Sequence, residues 1–297
     1  MAGPVRNVAV IGLGIMGGAI ARNLLAAGFM VSGLDVDPSK AAAAASSGVV
    51  MHGSVAEALR GVDLVLTSLP STEALDATVA SLVTEPRPGL VLAEISTFPI
   101  EAKEKARDRL AAAGIIMLDC PLSGTGAQAV TRDLALYGSG DEAVFARCRA
   151  AFDAFARVSH YLGAFGNGSR MKFVANLLVA VHNVAAAEAI VLGVKSGLDP
   201  ERILEVIGSG AGTSRIFELR GPMMAKGVYT PPTATMHVLQ KDSAIIAEFA
   251  RALGVDTPML RAAAPLYDEA EAQGYAEEDV GAVHAVLARR AGLPPKK

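Results

Sequence analysis

The sequence predicts a doubly wound parallel α/β domain followed by an all-helical domain. Three observations carry this. Short apolar runs alternate with helical patterns through the first half of the chain, as a parallel sheet covered on both faces requires. A glycine-rich turn joins the first apolar run to the first helix. Beyond about residue 165 the apolar residues recur only at helical spacing. With 297 residues there is room for about two domains of roughly 100–200 residues each. We expect them at 1–165 and 166–297.

Residues 5–11 are an apolar run ending in glycines, a buried strand. Residues 16–27 bring Ile20, Leu24 and Leu25 to one helical face. Val31 to Leu34 is a second strand ending at Asp35, and Pro38 to Ser46 an alanine-rich helix with proline in its first turn. Asp63 to Leu69 is a third strand stopped by Pro70. Leu90 to Ile95 and Ile115 to Leu118 are further strands, with a charged helix at 100–113 between them. The glycines and asparagine of Gly163 to Gly168 form a linker or turn. Residues 170–196 are a long helix, apolar on most sides, and so one that must be buried. Helices follow at 200–208, 233–253, 258–273 and 277–291. The segment Gly208 to Arg215, with glycines at 208, 210 and 212, is a hinge or lid. Arg215 and Arg220 either pair on the surface or reach a carboxylate or phosphate.

Composition excludes several function classes. Hydrophobic residues make up 52% and charged residues 19% of the chain, which suits a large core and not disorder. Net charge is −3 with no basic stripe, so nucleic acid is not the expected partner. Cys120 and Cys148 make no disulfide framework and read as free buried thiols. Residues 1–7 are too short and polar for a signal peptide. Asn176, His182, Asn183 and Glu188 interrupt Phe173 to Val194, the one membrane candidate, so we expect a core helix, no membrane, and a cytoplasmic protein. The five histidines lack metal-ligand spacing, and no metal is expected.

The chemistry lies in a few motifs. Gly12-Leu13-Gly14-Ile15-Met16-Gly17 follows a strand and opens a helix. Its glycines permit a tight turn, close approach of a pyrophosphate, and close helix packing. Asp35 stands 18 residues after Gly17, where a carboxylate accepts bonds from ribose hydroxyls and repels a 2′-phosphate. The expected cofactor is therefore NAD rather than NADP. Asp37 reads as a helix cap ahead of Pro38. Leu69-Pro70 and Ser96-Thr97 lie just past strand ends, where open parallel sheets bind ligands. Pro70 could equally just end a strand, and Ser96 could cap the helix after Pro99. The loop Asp119 to Gly126 offers Ser123, Gly124 and Thr125 to a carboxylate, or is an ordinary turn. Lys172 and Asn176, four apart on one helical face, supply a proton-transfer group and a partner to orient it. With a dinucleotide they point to hydride chemistry on an alcohol or carbonyl. Lys241-Asp242 reads first as a solvated charge pair, and His237, four residues before Lys241, as a surface or satisfied core histidine.

Together these residues resemble the β-hydroxyacid dehydrogenase family. The likeness spans Gly12 to Gly17, Leu69-Pro70, Ser96-Thr97 with Pro99, Asp119 to Gly124, Gly168 to Asn176, and Lys241-Asp242. The resemblance implies a Rossmann domain, a long inter-domain helix and a helical second domain. It implies catalysis by Lys172, substrate contacts from Ser123, Gly124 and Asn176, Lys241 near the nicotinamide, and a homodimer or homotetramer. The expected substrate is a small 3-hydroxy acid of the 3-hydroxyisobutyrate type, with a semialdehyde or an aldonate as alternatives. Imine reduction and a non-catalytic nucleotide or peptide binder fit less well, since relatives of those kinds tend to lack the lysine. The chain departs from the family pattern at Thr125 and Arg132, where glycines are usual, and at Glu94, where aspartate is usual.

Overall fold

A computed structural model describes residues 3–84 and 87–294. The reading of residues 1–7 as no leader therefore falls partly on Met1 and Ala2, outside the described residues. The chain divides into two compact units, Met1–Lys172 and Phe173–Lys297.

In the first unit, strand β1 (Asn7–Ile11) leads through the glycine turn to α1 (Ile15–Ala26). There follow β2 (Met30–Leu34), α2 (Pro38–Ser46), β3 (Val50–Met51), α3 (Val55–Ala58), β4 (Leu64–Thr67), α4 (Thr72–Leu82), β5 (Val91–Glu94), α5 (Ile100–Ala112) and β6 (Ile116–Asp119). These strands form a six-stranded parallel sheet in the order β3-β2-β1-β4-β5-β6. Alternate residues feed two cores, one on each face. Val8, Val10, Leu64 and Leu66 join one, and Ala9, Ile11, Val65 and Leu92 join the other, as the two-residue period of a strand dictates. Asp37 caps α2 by accepting the Ser39 N–H, as expected.

The strands at 122–161 were not legible in the sequence. Here β7 (Leu122–Ser123), α6 (Gly126–Val130), β8 (Ala135–Gly138), α7 (Glu142–Asp153) and β9 (Val158–Tyr161) build a small three-stranded sheet. The strands β7 and β8 are antiparallel, and β8 and β9 parallel. Gly163 and Gly166 take positive φ in the expected turn. Helix α8 (Asn167–Lys195) then starts three residues earlier than the periodicity predicts.

The second unit holds the rest of α8, then α9 (Pro200–Gly208), α10 (Arg215–Lys226), α11 (Met236–Ala252), α12 (Pro258–Ala270) and α13 (Val283–Arg290). The segment expected as a hinge is shorter than anticipated. Ser214 caps α10 through the Phe217 N–H, so the chain is helical from Arg215 onward. Gly221 packs against α9, and an added Cβ there would lie 2.7 Å from Leu204 Cδ2. Helix α8 is long and apolar enough to cross a membrane by length and composition. Within it, Asn183 is buried and donates to the Val280 carbonyl at 2.8 Å, and the Ala180 carbonyl accepts from the Tyr267 hydroxyl at 2.6 Å.

Candidate active site

Three glycines of the β1–α1 turn have different reasons to be glycine. Gly12 has φ +88°, and a Cβ on it would sit 2.1 Å from the Ser68 carbonyl oxygen, just past β4. A Cβ on Gly17 would sit 1.9 Å from the Gly12 carbonyl oxygen. Both are forced by packing. Gly14 meets nothing within 4 Å. It is the N-cap of α1, and no side chain caps that helix end. An open cradle at a helix N-terminus suits an anionic group. The turn is tied to β2 by Asp35, whose Oδ2 accepts the Leu13 N–H at 2.6 Å and whose Oδ1 accepts the Asp37 N–H at 2.8 Å. Val36, between those aspartates, is 99% exposed. It is an apolar surface next to Asp35 in the chain, and no pattern of residues marked it out.

The turn sits where the strand order of the sheet reverses, between β1 and β4. Strands β1 and β4 are neighbours, with Ile11 opposite Thr67, so Gly12–Gly17 and Leu69-Pro70 leave adjacent strand ends. This is the crevice where doubly wound sheets bind ligands. Ser96 does not cap the helix after Pro99, as one reading had it. Pro99 itself occupies the N-cap of α5. The Ser96 hydroxyl instead accepts the Leu69 N–H at 2.8 Å, stitching the loop after β4 to the loop that carries Thr97.

Beneath that loop lies a buried ion cluster that sequence reasoning missed. Lys103 Nζ is 2.7 Å from Glu94 Oε2 and 2.9 Å from Asp119 Oδ1, with all three side chains fully buried. Burial alone would lower the pKa of the lysine, but the Asp119 and Glu94 carboxylates outweigh it and raise it above its ordinary value. Burial pushes the Glu94 carboxyl up, against the opposing pull of Lys103.

The loop at 119–126 is more constrained than a simple turn. Gly124 has φ +137°, and a Cβ on it would lie 2.5 Å from Leu134 Cδ2. Thr125 caps α6 in a reciprocal box with Gln128, so its backbone N–H and its hydroxyl are both engaged. Ser123 and Gly124 remain as the groups this loop can offer. Arg132 has φ +60°, which explains why glycine suits that position.

Lys172 is buried in the second turn of α8. Asn176, one turn further along the same helix, is also buried. Its Nδ2 donates to Asp242 Oδ2 at 2.7 Å, and Lys241 Nζ lies 2.9 Å from Asp242 Oδ1. Lys241-Asp242 is therefore not a solvated pair, because Asp242 is buried and anchors Asn176. His237 is exposed on α11. Arg220 is not at the surface either, for it is buried against Asp279 at 2.9 Å, while Arg215 pairs with Glu218 on the exposed face of α10. Cys120 and Cys148 are free and buried, and burial pushes both thiols up, Cys148 to about 11. Among the described residues no three His, Cys, Asp or Glu side chains gather as metal ligands.

The profile of the NAD binding domain of 6-phosphogluconate dehydrogenase matches residues 7–163. That of the NAD-binding region of NADP-dependent 3-hydroxyisobutyrate dehydrogenase matches 166–287. The chain belongs to the β-hydroxyacid dehydrogenase family. As a β-hydroxyacid dehydrogenase it is a nicotinamide-dependent oxidoreductase acting on CH–OH groups. It is 36% identical to an L-threonate dehydrogenase of Cupriavidus necator, over 94% of this chain and 95% of that one. It is 30% identical to an NAD-dependent L-serine dehydrogenase of Pseudomonas aeruginosa, over 95% and 98%. Among solved structures, a 3-hydroxyisobutyrate dehydrogenase from Salmonella typhimurium superposes with a TM-score of 0.86 at 29% identity, covering 95% of this chain and 99% of that one.

Proposed function

We propose that this β-hydroxyacid dehydrogenase oxidises a small 3-hydroxy acid with NAD, using Lys172 as general acid and base. The observation that carries this reading is Lys172 set one turn from Asn176 on an unbroken helix, with Asn176 held by the buried Asp242. When bound, the nicotinamide supplies the hydride acceptor in oxidation and the donor in reduction. The residues present suit such a cofactor, because Gly14 leaves open space at the end of α1 and Asp35 stands at the end of β2. Asp35 would accept the ribose hydroxyls and disfavour a 2′-phosphate, hence NAD. Gly12 to Gly17, including Leu13, Ile15 and Met16, would line the pyrophosphate. Leu69, Pro70 and Thr97 would flank the nicotinamide side.

Ser123 and Gly124 would hold the substrate carboxylate. Thr125 contributes chiefly by fixing that loop through its cap on α6. Lys172 would take the hydroxyl proton in oxidation and return it in reduction. A base must be neutral to take that proton. Asn176 would keep the substrate hydroxyl in line. An aldonate is the second reading, favoured by the likeness to a relative named L-threonate dehydrogenase. Apolar Val174, Leu178 and Leu192, exposed along α8 in the helical unit, support assembly as a homodimer or homotetramer.

The test is absorbance at 340 nm, with NAD and NADP in turn against 3-hydroxyisobutyrate, L-threonate and L-serine, and with NADH and NADPH in turn against succinic semialdehyde. Turnover with NAD on a 3-hydroxy acid is expected. Lys172→Ala should lose roughly 10²-fold or more in kcat while keeping NAD affinity. Near-normal turnover by that variant would defeat the reading.

A further inference from the structure

We propose that Asp119 is a positioning residue for Lys172, holding the first turn of α8 in place through the buried cluster it forms with Glu94 and Lys103. The inference rests on the reading of Lys172 as acid and base.

Asp119 ends β6 and is fully buried. Its carboxylate takes four donors. Oδ2 accepts the Ser169 backbone N–H at 2.8 Å and the Ser139 hydroxyl at 3.2 Å. Oδ1 accepts the Ser169 hydroxyl at 2.8 Å and Lys103 Nζ at 2.9 Å. The Ser139 hydroxyl in turn accepts the Gly168 N–H at 2.9 Å. Two N–H groups of the first turn of α8 are thus satisfied by side chains from β6 and from the end of β8, where a helix leaves its first amides without partners. The approach is as close as backbone allows, because a Cβ on Gly168 would lie 2.2 Å from the Tyr137 carbonyl oxygen and 2.8 Å from that of Asp119. Lys172 follows Ser169 by three residues, on the same side of the helix.

The cluster reaches the cofactor-side loop as well. Lys103 Nζ donates to the Ser96 carbonyl at 2.7 Å, and Glu94 Oε1 accepts the Ser96 N–H at 2.8 Å. Two carboxylates face one ammonium, and the positive end of α8 balances the excess negative charge. Buried ion clusters add little net stability compared with apolar packing. What this one supplies is fixed geometry at the strand ends, where an error of about 1 Å can cost 10²-fold in rate.

The test compares Asp119→Asn and Ser169→Ala in the full-length protein, with 3-hydroxyisobutyrate and L-threonate as substrates. Each should lower kcat, Asp119→Asn by at least tenfold and Ser169→Ala by about threefold, with NAD affinity and substrate KM within twofold of the parent. In a Lys172→Ala background neither change should cost anything further. Deuterium exchange at the amides of 167–172 should speed up at least tenfold in Asp119→Asn, a readout that needs no turnover. If Asp119→Asn does not fold, Ser169→Ala carries the same comparison. Parent-like kcat, losses that persist undiminished without Lys172, or unchanged exchange would each overturn the inference. If Lys172→Ala itself turns over normally, the acid–base reading fails, and the positioning role fails with it. Loss in Lys172→Ala beside parent-like Asp119→Asn and Ser169→Ala would defeat the positioning role alone.

Discussion

Asn176 gives its amide nitrogen to Asp242 at 2.7 Å, across 66 residues of sequence. A carboxylate only accepts, so this bond fixes which way the amide faces and directs Asn176 Oδ1 elsewhere. An acceptor oxygen one turn from Lys172 suits a hydroxyl that is to lose its proton.

Asp242→Ala should therefore behave as an alignment defect. We expect kcat to fall roughly tenfold or more, as small misplacements at a reacting centre do, with NAD affinity unchanged. Steady-state kinetics beside a cofactor titration would decide it. An unaltered kcat would mean that Asn176 needs no anchor.

Two glycines of the nucleotide turn should respond in opposite ways. Gly12→Ala meets backbone at 2.1 Å with φ at +88°, and should cost roughly 3 kcal/mol or more of stability. Gly14→Ala meets nothing within 4 Å. It should melt like the parent yet bind dinucleotide at least tenfold more weakly, because the methyl would fill space meant for the pyrophosphate. Thermal melts paired with calorimetry separate the two, and a Gly14→Ala protein with parental affinity would refute the assignment of the cradle.

The helical unit should have an acid-sensitive joint at Arg220–Asp279. Burial would raise the Asp279 carboxyl, but the Arg220 guanidinium and donors from Thr233 and Gly281 outweigh it and hold the group below its ordinary range. A folded value below the unfolded one means a stabilising contribution that is present above about pH 4 and fades as pH falls through the folded value. Asp279→Asn should cost about 3–5 kcal/mol at neutral pH, since it strands a buried guanidinium. It should also flatten the acid side of the stability curve. Urea melts from pH 7 to pH 3 would show this, and parallel curves for parent and variant would contradict it.

Arg132 carries a left-handed backbone without being glycine. Arg132→Gly should raise stability by up to about 1 kcal/mol, the strain relieved being partly offset by the freer unfolded chain. A loss of stability in chemical denaturation would point to a contact made by the arginine side chain.

The doubly wound sheet was legible because β1, β4, β5 and β6 are buried on both faces and leave unbroken apolar runs, and because Gly12 to Gly17 sits at the first strand end. The second sheet was not, since β7 has two residues, β8 is four residues of alternating burial, and β9 mixes polar and apolar positions. Helix α10 was hidden by the glycines before it, and its start depends on the cap at Ser214. At the candidate site, residue types and spacing pointed to Lys172, Asn176, Ser123 and Gly124 as candidates. Their supports were invisible locally. Ser96 bonds Leu69 from 27 residues away, and Asp119 bonds Ser169 from 50. A hydroxyl or carboxylate reads as a cap or a solvated charge until the fold supplies its distant partner.

Asp35 carries two obligations at once. The carboxylate that would choose between cofactors also clasps the backbone of Leu13 and Asp37. Any exchange that made room for a phosphorylated ribose would slacken the very turn that must receive the dinucleotide. Cofactor preference in this enzyme should therefore resist single-step change, whether by natural drift or in the laboratory. A switch would need a second substitution that restores the lost clasp before the new preference could be selected.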